Sequence, residues 1–128
     1  MGYYTLAAEA SFSAAHRLPD VDKCDRLHGH NWRVRLSVRV DEENLDGLGM
    51  GIDFRKIEKV AQEAVADFDH AYLNDLEPFK NEHPTAERLA RVVYDRAAAR
   101  LANITPTSKL VEVEAWEMSN YRVTYRPA

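Results

Sequence analysis

An α+β fold, an antiparallel sheet of four strands with two helices on one face, follows from three observations. Residues 31–40 alternate apolar and polar side chains without a break. Residues 54–68 and 86–102 carry apolar side chains at helical spacing. Residues 109–117 and 121–126 alternate again on either side of Met118-Ser119-Asn120.

Residues 3–13 form the first strand, rich in small and aromatic residues and weakly alternating. In the second, 31–40, Trp32, Val34, Leu36, Val38 and Val40 share one face, and Arg33, Arg35, Ser37 and Arg39 share the other. That pattern is a half-buried strand of an antiparallel sheet. Acidic residues and glycines make 41–51 a loop. In the first helix, 54–68, Ile57, Val60, Ala61, Ala64, Val65 and Phe68 fall on one stripe, and Asp53 is placed to cap its start. Two prolines put 74–84 in a loop. The second helix, 86–102, turns Leu89, Val92, Val93, Ala97 and Leu101 inward, with Thr85 as its cap and Pro106 beyond its end. Segments 109–117 and 121–126 close the chain as a hairpin, giving the order β-β-α-α-β-β. A sheet this small has open edges, which invite association.

The 128 residues are one domain's worth, so 1–128 is read as a single domain. Hydrophobic residues at 45% and charged residues at 30% are ordinary for a soluble globular protein. A net charge of −4 argues against a nucleic-acid footprint. No apolar run approaches the roughly 20 residues that span a bilayer, so no membrane partner is expected. Residues 1–10 lack the charged head and apolar stretch of a signal peptide. Cys24 is the one cysteine, so no internal disulfide forms. The chain therefore reads as cytoplasmic.

The chemistry concentrates in the histidines. His28-Gly29-His30 places two imidazoles at i and i+2, on the same side of an extended segment. Gly29 leaves space on the side away from the ion. His16, at the end of the neighbouring strand, supplies a third candidate ligand. Three neutral imidazoles with an open fourth position describe a catalytic zinc site. Read singly, His-x-His is a weak motif and His16 a cap or surface residue; His83, between Glu82 and Pro84, reads as a loop residue.

Cys24 lies four residues before His28, among Asp22, Lys23, Asp25 and Arg26. Beside a bound cation its pKa is lowered toward neutrality, and the thiolate becomes a candidate general base. The alternative is an inert, buried thiol, against which its charged flanks argue. Asp69-His70 ends the first helix: either the dipole favours a histidine there, or the carboxylate orients a catalytic imidazole. Glu117, beside Trp116, is either a solvated strand glutamate or a carboxylate able to take two parallel hydrogen bonds from a planar N–C–N edge, such as a pterin offers.

Together these segments resemble the 6-pyruvoyl-tetrahydropterin synthase / 6-carboxy-tetrahydropterin synthase family, with the bacterial 6-carboxy-tetrahydropterin synthases of queuosine biosynthesis as the best match. The resemblance covers nearly the whole chain. It rests on Phe12-Ser13-Ala14-Ala15-His16, on Cys24 spaced three residues from His28-Gly29-His30, on Ile52-Asp53-Phe54, on Asp69-His70 followed by Leu73-Asn74, on Pro84-Thr85-Ala86-Glu87, and on Glu117. His83, Met118 and Tyr121 depart from the family pattern.

The resemblance implies the tunnelling fold, an oligomeric barrel, and a homohexamer with sites at subunit interfaces. It implies Zn2+ on His16, His28 and His30, Cys24 as catalytic base, Asp69 and His70 as a proton relay, and Glu117 on the pterin. The implied substrate is 7,8-dihydroneopterin triphosphate. The implied products are 6-carboxy-5,6,7,8-tetrahydropterin, acetaldehyde and triphosphate. The short spacing from Cys24 to His28 resembles this branch more than the 6-pyruvoyl-forming one. The alternatives are the sister activity, pyruvoyl-forming or cleaving the dihydroneopterin side chain; a non-catalytic zinc- or pterin-binding protein; and a zinc hydrolase using a metal-bound hydroxide.

Overall fold

The structure, a computed structural model, describes residues 1–19 and 26–128. Its elements run β1 (Tyr3–His16), β2 (His28–Asp41), α1 (Phe54–Ala64), β3 (Ala71–Tyr72), α2 (Ala86–Ala102), β4 (Ser108–Met118) and β5 (Tyr121–Tyr125). β1 and β2 pair antiparallel along their whole length, from Tyr3 opposite Asp41 to His16 opposite His28. Both strands outrun the expected 3–13 and 31–40, and the added residues include all three histidines of interest.

The expected sheet of four antiparallel strands is corrected to a five-stranded mixed sheet in the order β3-β1-β2-β4-β5. The extra strand, β3, runs parallel to β1 at Ala14 and Ala15. Two residues are too short to show an alternation, and this pairing depends on the turn that precedes it.

The helix-covered face is the core. Trp32, Val34, Leu36, Val38 and Val40 of β2 are buried, with Ala10, Phe12 and Ala14 of β1 and Leu110, Val113 and Ala115 of β4. Ile57, Val60, Ala61 and Ala64 of α1, and Leu89, Ala90, Val93, Ala97 and Leu101 of α2, pack onto them. Val92, expected inward, is only partly buried, and Ala90 takes the deeper position. Burying a side chain such as Leu89 contributes roughly 1.5–3 kcal/mol. The β2–β4 register shifts between Ser37 and Val38, so Val111 is an extra residue on β4.

The opposite face is a cross-strand charge ladder. Arg35 lies 2.8 Å from Glu9 and 3.3 Å from Glu114, and Arg122 lies 3.0 Å from Glu114. Arg33 covers the Trp116 ring at 3.9 Å. Opposite charges on neighbouring strands let an arginine-rich face remain a sheet.

Both expected caps form. Asp53 accepts the Arg55 N–H at 2.8 Å, and Thr85 accepts the Arg88 N–H at 3.2 Å. α1 stops at Ala64, short of the expected residue 68. Arg96 of α2 donates to the Ala64 carbonyl at 3.0 Å and to Asp67 at 2.7 Å, satisfying a carbonyl orphaned by the helix end. Phe68 reaches the core from the turn that follows. Segment 74–84, expected as loop, includes a 3-10 turn at Glu77–Phe79. Among the described residues, no helix is long and apolar enough to cross a membrane.

Candidate metal centre

The alternation that builds the core continues past its edge. On β1 the inward positions Phe12 and Ala14 are followed by His16; on β2, His28 and His30 precede Trp32; on β4, Val113 and Ala115 lead to Glu117. Four side chains able to ligate a metal therefore emerge together at one end of the helix-covered face. One ligand atom from each of His16, His28, His30 and Glu117 lies within 4.8 Å of the others. Glu117 Oε1 is 2.9 Å from His30 Nε2 and 3.8 Å from His16 Nε2. The Trp32 ring forms the floor, edge-on to His16 at 5.3 Å and to His30 at 5.8 Å, and is stacked on Phe12.

Backbone carbonyls orient two of the rings. His16 Nδ1–H donates to the Pro84 carbonyl at 2.8 Å, and His28 Nδ1–H donates to the Arg26 carbonyl at 2.8 Å. A carbonyl only accepts, so each Nδ1 carries the hydrogen and each neutral ring keeps its Nε2 lone pair for an ion. Burial lowers the His16 pKa from the usual 6.5; the Pro84 carbonyl and Glu117 oppose the shift, and His28 adds to it. Burial also lowers that of His30, opposed by Glu117 and reinforced by His16 and His28. Neutral imidazole is the form that binds metals.

These residues fit a metal ion. His16 Nε2 and His30 Nε2 are buried and lack a hydrogen-bond partner among the described residues, whereas buried polar groups ordinarily have one. The contact from His30 to Glu117 is short but is not aligned as a hydrogen bond. Three imidazoles and a carboxylate form a donor set suited to a transition metal. Gly29 is not forced by crowding within the chain: a Cβ there would meet only the Ala14 carbonyl, at 3.9 Å.

Asp69-His70 lies beyond α1 rather than in its last turn. His70 has φ +58°, in the left-handed region that non-glycine residues seldom adopt. Its N–H donates to the Ser13 carbonyl at 2.6 Å, and Asp69 Oδ1 accepts the Ser13 N–H at 3.0 Å. The turn thus grips both polar backbone groups of Ser13 and delivers the chain into β3. Asp69 Oδ1 is also 3.1 Å from His70 Nδ1. The Ser13 N–H, followed by His70, holds the Asp69 carboxyl below its usual range. His70 is exposed and lines a cleft of about 510 Å3 with Ser13, Gly29, His30, Asn31 and Tyr72. A second cleft, about 580 Å3, shares Gly29, His30 and Asn31 and adds Trp116, Glu117 and Ser119.

The structure thus gathers His16, His28, His30 and Glu117 and sets Asp69-His70 beside a cleft that reaches His30. Cys24 lies outside the described residues. His83 is an exposed loop residue, next to the carbonyl that orients His16. Two positioning residues were not anticipated. Pro84 was visible only as part of a helix start. Asn74 accepts the Arg17 N–H at 2.8 Å and donates to the Arg17 carbonyl at 2.9 Å, prolonging strand-like pairing just beyond His16.

Known proteins share this arrangement of elements. The family model described as 6-pyruvoyl tetrahydropterin synthase matches residues 5–128. The 6-carboxy-5,6,7,8-tetrahydropterin synthase of Bacillus subtilis is 32% identical, over 97% of this chain and 86% of its own. The dihydroneopterin monophosphate aldolase of Pyrococcus furiosus is also 32% identical, over 89% of this chain and 90% of its own. The solved 6-pyruvoyl tetrahydropterin synthase of Caenorhabditis elegans superposes with a TM-score of 0.83 at 28% identity, covering 100% of this chain and 98% of its own. On this sequence match and this shared fold, the chain belongs to the 6-pyruvoyl tetrahydropterin synthase family.

Proposed function

We propose that this protein is a zinc-dependent lyase that converts 7,8-dihydroneopterin triphosphate to 6-carboxy-5,6,7,8-tetrahydropterin, acetaldehyde and triphosphate, on the route to queuosine. The observation that carries the reading is the convergence of His16, His28 and His30 at the sheet's end, with Glu117 among them and Asp69-His70 beside an adjoining cleft. The name and coverage of the Bacillus subtilis relative support the carboxy-forming branch.

His16, His28 and His30 would hold the zinc, which would supply Lewis-acid activation of the substrate's side-chain hydroxyls. Glu117 takes two N–H groups from the planar edge of the pterin and so fixes the reacting carbons. The Cys24 thiolate removes the proton from the side-chain carbon next to the ring. His70 has Nδ1 turned to Asp69, which leaves Nε2 to exchange protons with the side chain as triphosphate leaves. The product carboxylate holds one more oxygen than the carbinol it replaces, and a water molecule supplies it.

Among the described residues, β3 pairs with β1 only at Ala14 and Ala15, and no strand lies along the rest of that edge of β1. This supports a homohexamer with sites at subunit interfaces, in which Cys24 and Asp69-His70 of one site come from different chains.

The test is incubation of the zinc-loaded protein with 7,8-dihydroneopterin triphosphate and analysis of products by mass. The carboxy product with acetaldehyde is expected; a pyruvoyl product, or no turnover, overturns the assignment. The Pyrococcus furiosus relative favours a second reading, side-chain cleavage of a dihydroneopterin phosphate, which a parallel incubation with 7,8-dihydroneopterin monophosphate shows as a hydroxymethyl dihydropterin.

A further inference from the structure

We propose that Glu117 is a ligand of the metal while the protein holds no pterin, and that pterin binding draws it away and opens a coordination position for the substrate. The proposal rests on the assignment of Glu117 to the pterin edge given above.

Glu117 Oε1 approaches His30 Nε2 to 2.9 Å without hydrogen-bond alignment, and it lies 3.8 Å from His16 Nε2. The 2.9 Å approach is not made as a hydrogen bond, and a cation held between the two atoms would satisfy both at once. His16 and His28 have their Nδ1–H groups committed to the Pro84 and Arg26 carbonyls, so their remaining lone pairs are available to the same ion. The group is therefore a four-donor set of three imidazoles and one carboxylate. Four protein ligands close a tetrahedral zinc site, whereas a catalytic site keeps one position for water or substrate.

One carboxylate cannot serve both partners at once. Receiving two parallel N–H groups from a pterin occupies both oxygens and sets the carboxylate in the plane of the ring. Glu117 is placed to make the exchange. It is the next-to-last residue of β4, its side chain is 26% exposed, and the β4–β5 register shifts between Trp116 and Met118. It also lines the 580 Å3 cleft that shares His30 with the metal centre. The coordination position that substrate hydroxyls need then opens only when the ring that carries them is seated.

The test uses the full-length protein loaded with zinc, to measure affinity, or with cobalt(II), to read its visible spectrum. Glu117→Gln and Glu117→Ala are expected to bind zinc roughly tenfold or more weakly, and to shift the cobalt spectrum. Both variants matching wild type in affinity and spectrum overturns the ligand role. The near-isosteric Gln variant keeps this result available if the Ala variant fails to fold. Wild-type cobalt protein is then titrated with 6-methylpterin, whose side chain carries no oxygen to ligate the metal, and binding is followed by pterin fluorescence. The cobalt spectrum is expected to move toward that of Glu117→Ala, while the spectrum of Glu117→Ala stays put. Pterin binding with an unmoved wild-type spectrum overturns the exchange and leaves the pterin assignment standing. No pterin binding overturns that assignment, and the exchange with it.

Discussion

Acid sensitivity of the metal-free protein follows from the two buried histidines. Burial holds His16 and His30 below the 6.5 that each shows in an unfolded chain. Between that value and their depressed folded values, the unfolded state binds more protons than the folded one. Stability therefore rises with pH across this window and is lost on acidification, with the loss complete below the folded values. Each histidine contributes at most about 1.4 kcal/mol per pH unit, and the pair about 2.7 kcal/mol. Against a typical total of about 5–15 kcal/mol, one unit of acidification is a visible fraction. The depressed carboxylates do not mask the effect, because Asp69 sits below the usual carboxylate range and Asp53 titrates at about 2. The assay is urea unfolding of chelator-treated protein at several pH values between about 8 and about 5.5. Metal-loaded protein should lose stability more steeply, since protons also compete for the ligands. A metal-free stability that is flat over this range, or that rises on acidification, would refute the reasoning.

Four further outcomes are expected. Thr85→Ala removes the cap of α2 and should cost about 1 kcal/mol in urea unfolding; it should also weaken metal binding, because the neighbouring Pro84 carbonyl orients His16, and unchanged metal affinity would count against that link. His70→Gly suits the left-handed backbone while removing the proton carrier, so thermal unfolding should show no loss of stability although turnover falls about 10²–10⁴-fold. Cys24→Ala should keep zinc and fold but lose turnover on the same scale of about 10²–10⁴-fold, and near-normal turnover would remove its assigned role. His28→Ala should lose the metal, which full zinc occupancy by elemental analysis would contradict.

Local signals carried much of the structure. The face of β2 from Trp32 to Val40 is a period-two pattern that needs no knowledge of its neighbours, and the caps at Asp53 and Thr85 are equally local. The end of α1 was hidden because Val65 and Phe68 continue the apolar stripe although the chain has left the helix. β3 was hidden because it consists of two residues held in place by the His70 turn. His28 and His30 could be paired from spacing, but bringing in His16 required knowing that β1 and β2 are partners. Glu117 was harder still. Counting by twos from the inward-facing Ser108 and Leu110 puts Glu117 on the wrong face; the extra residue at Val111 reverses the phase and brings it round to the histidines.

The pairing of β1 with β2 has a consequence for how the chain reaches its native state. A slip of one residue in this hairpin turns every side chain of one strand to the opposite side. The register that sends Trp32, Val34 and Leu36 inward is also the register that sets His16 across from His28. A misaligned hairpin loses its hydrophobic interior and its ion-binding mouth in the same step. A metal ion bound at the open end would therefore stabilise this alignment over the slipped ones.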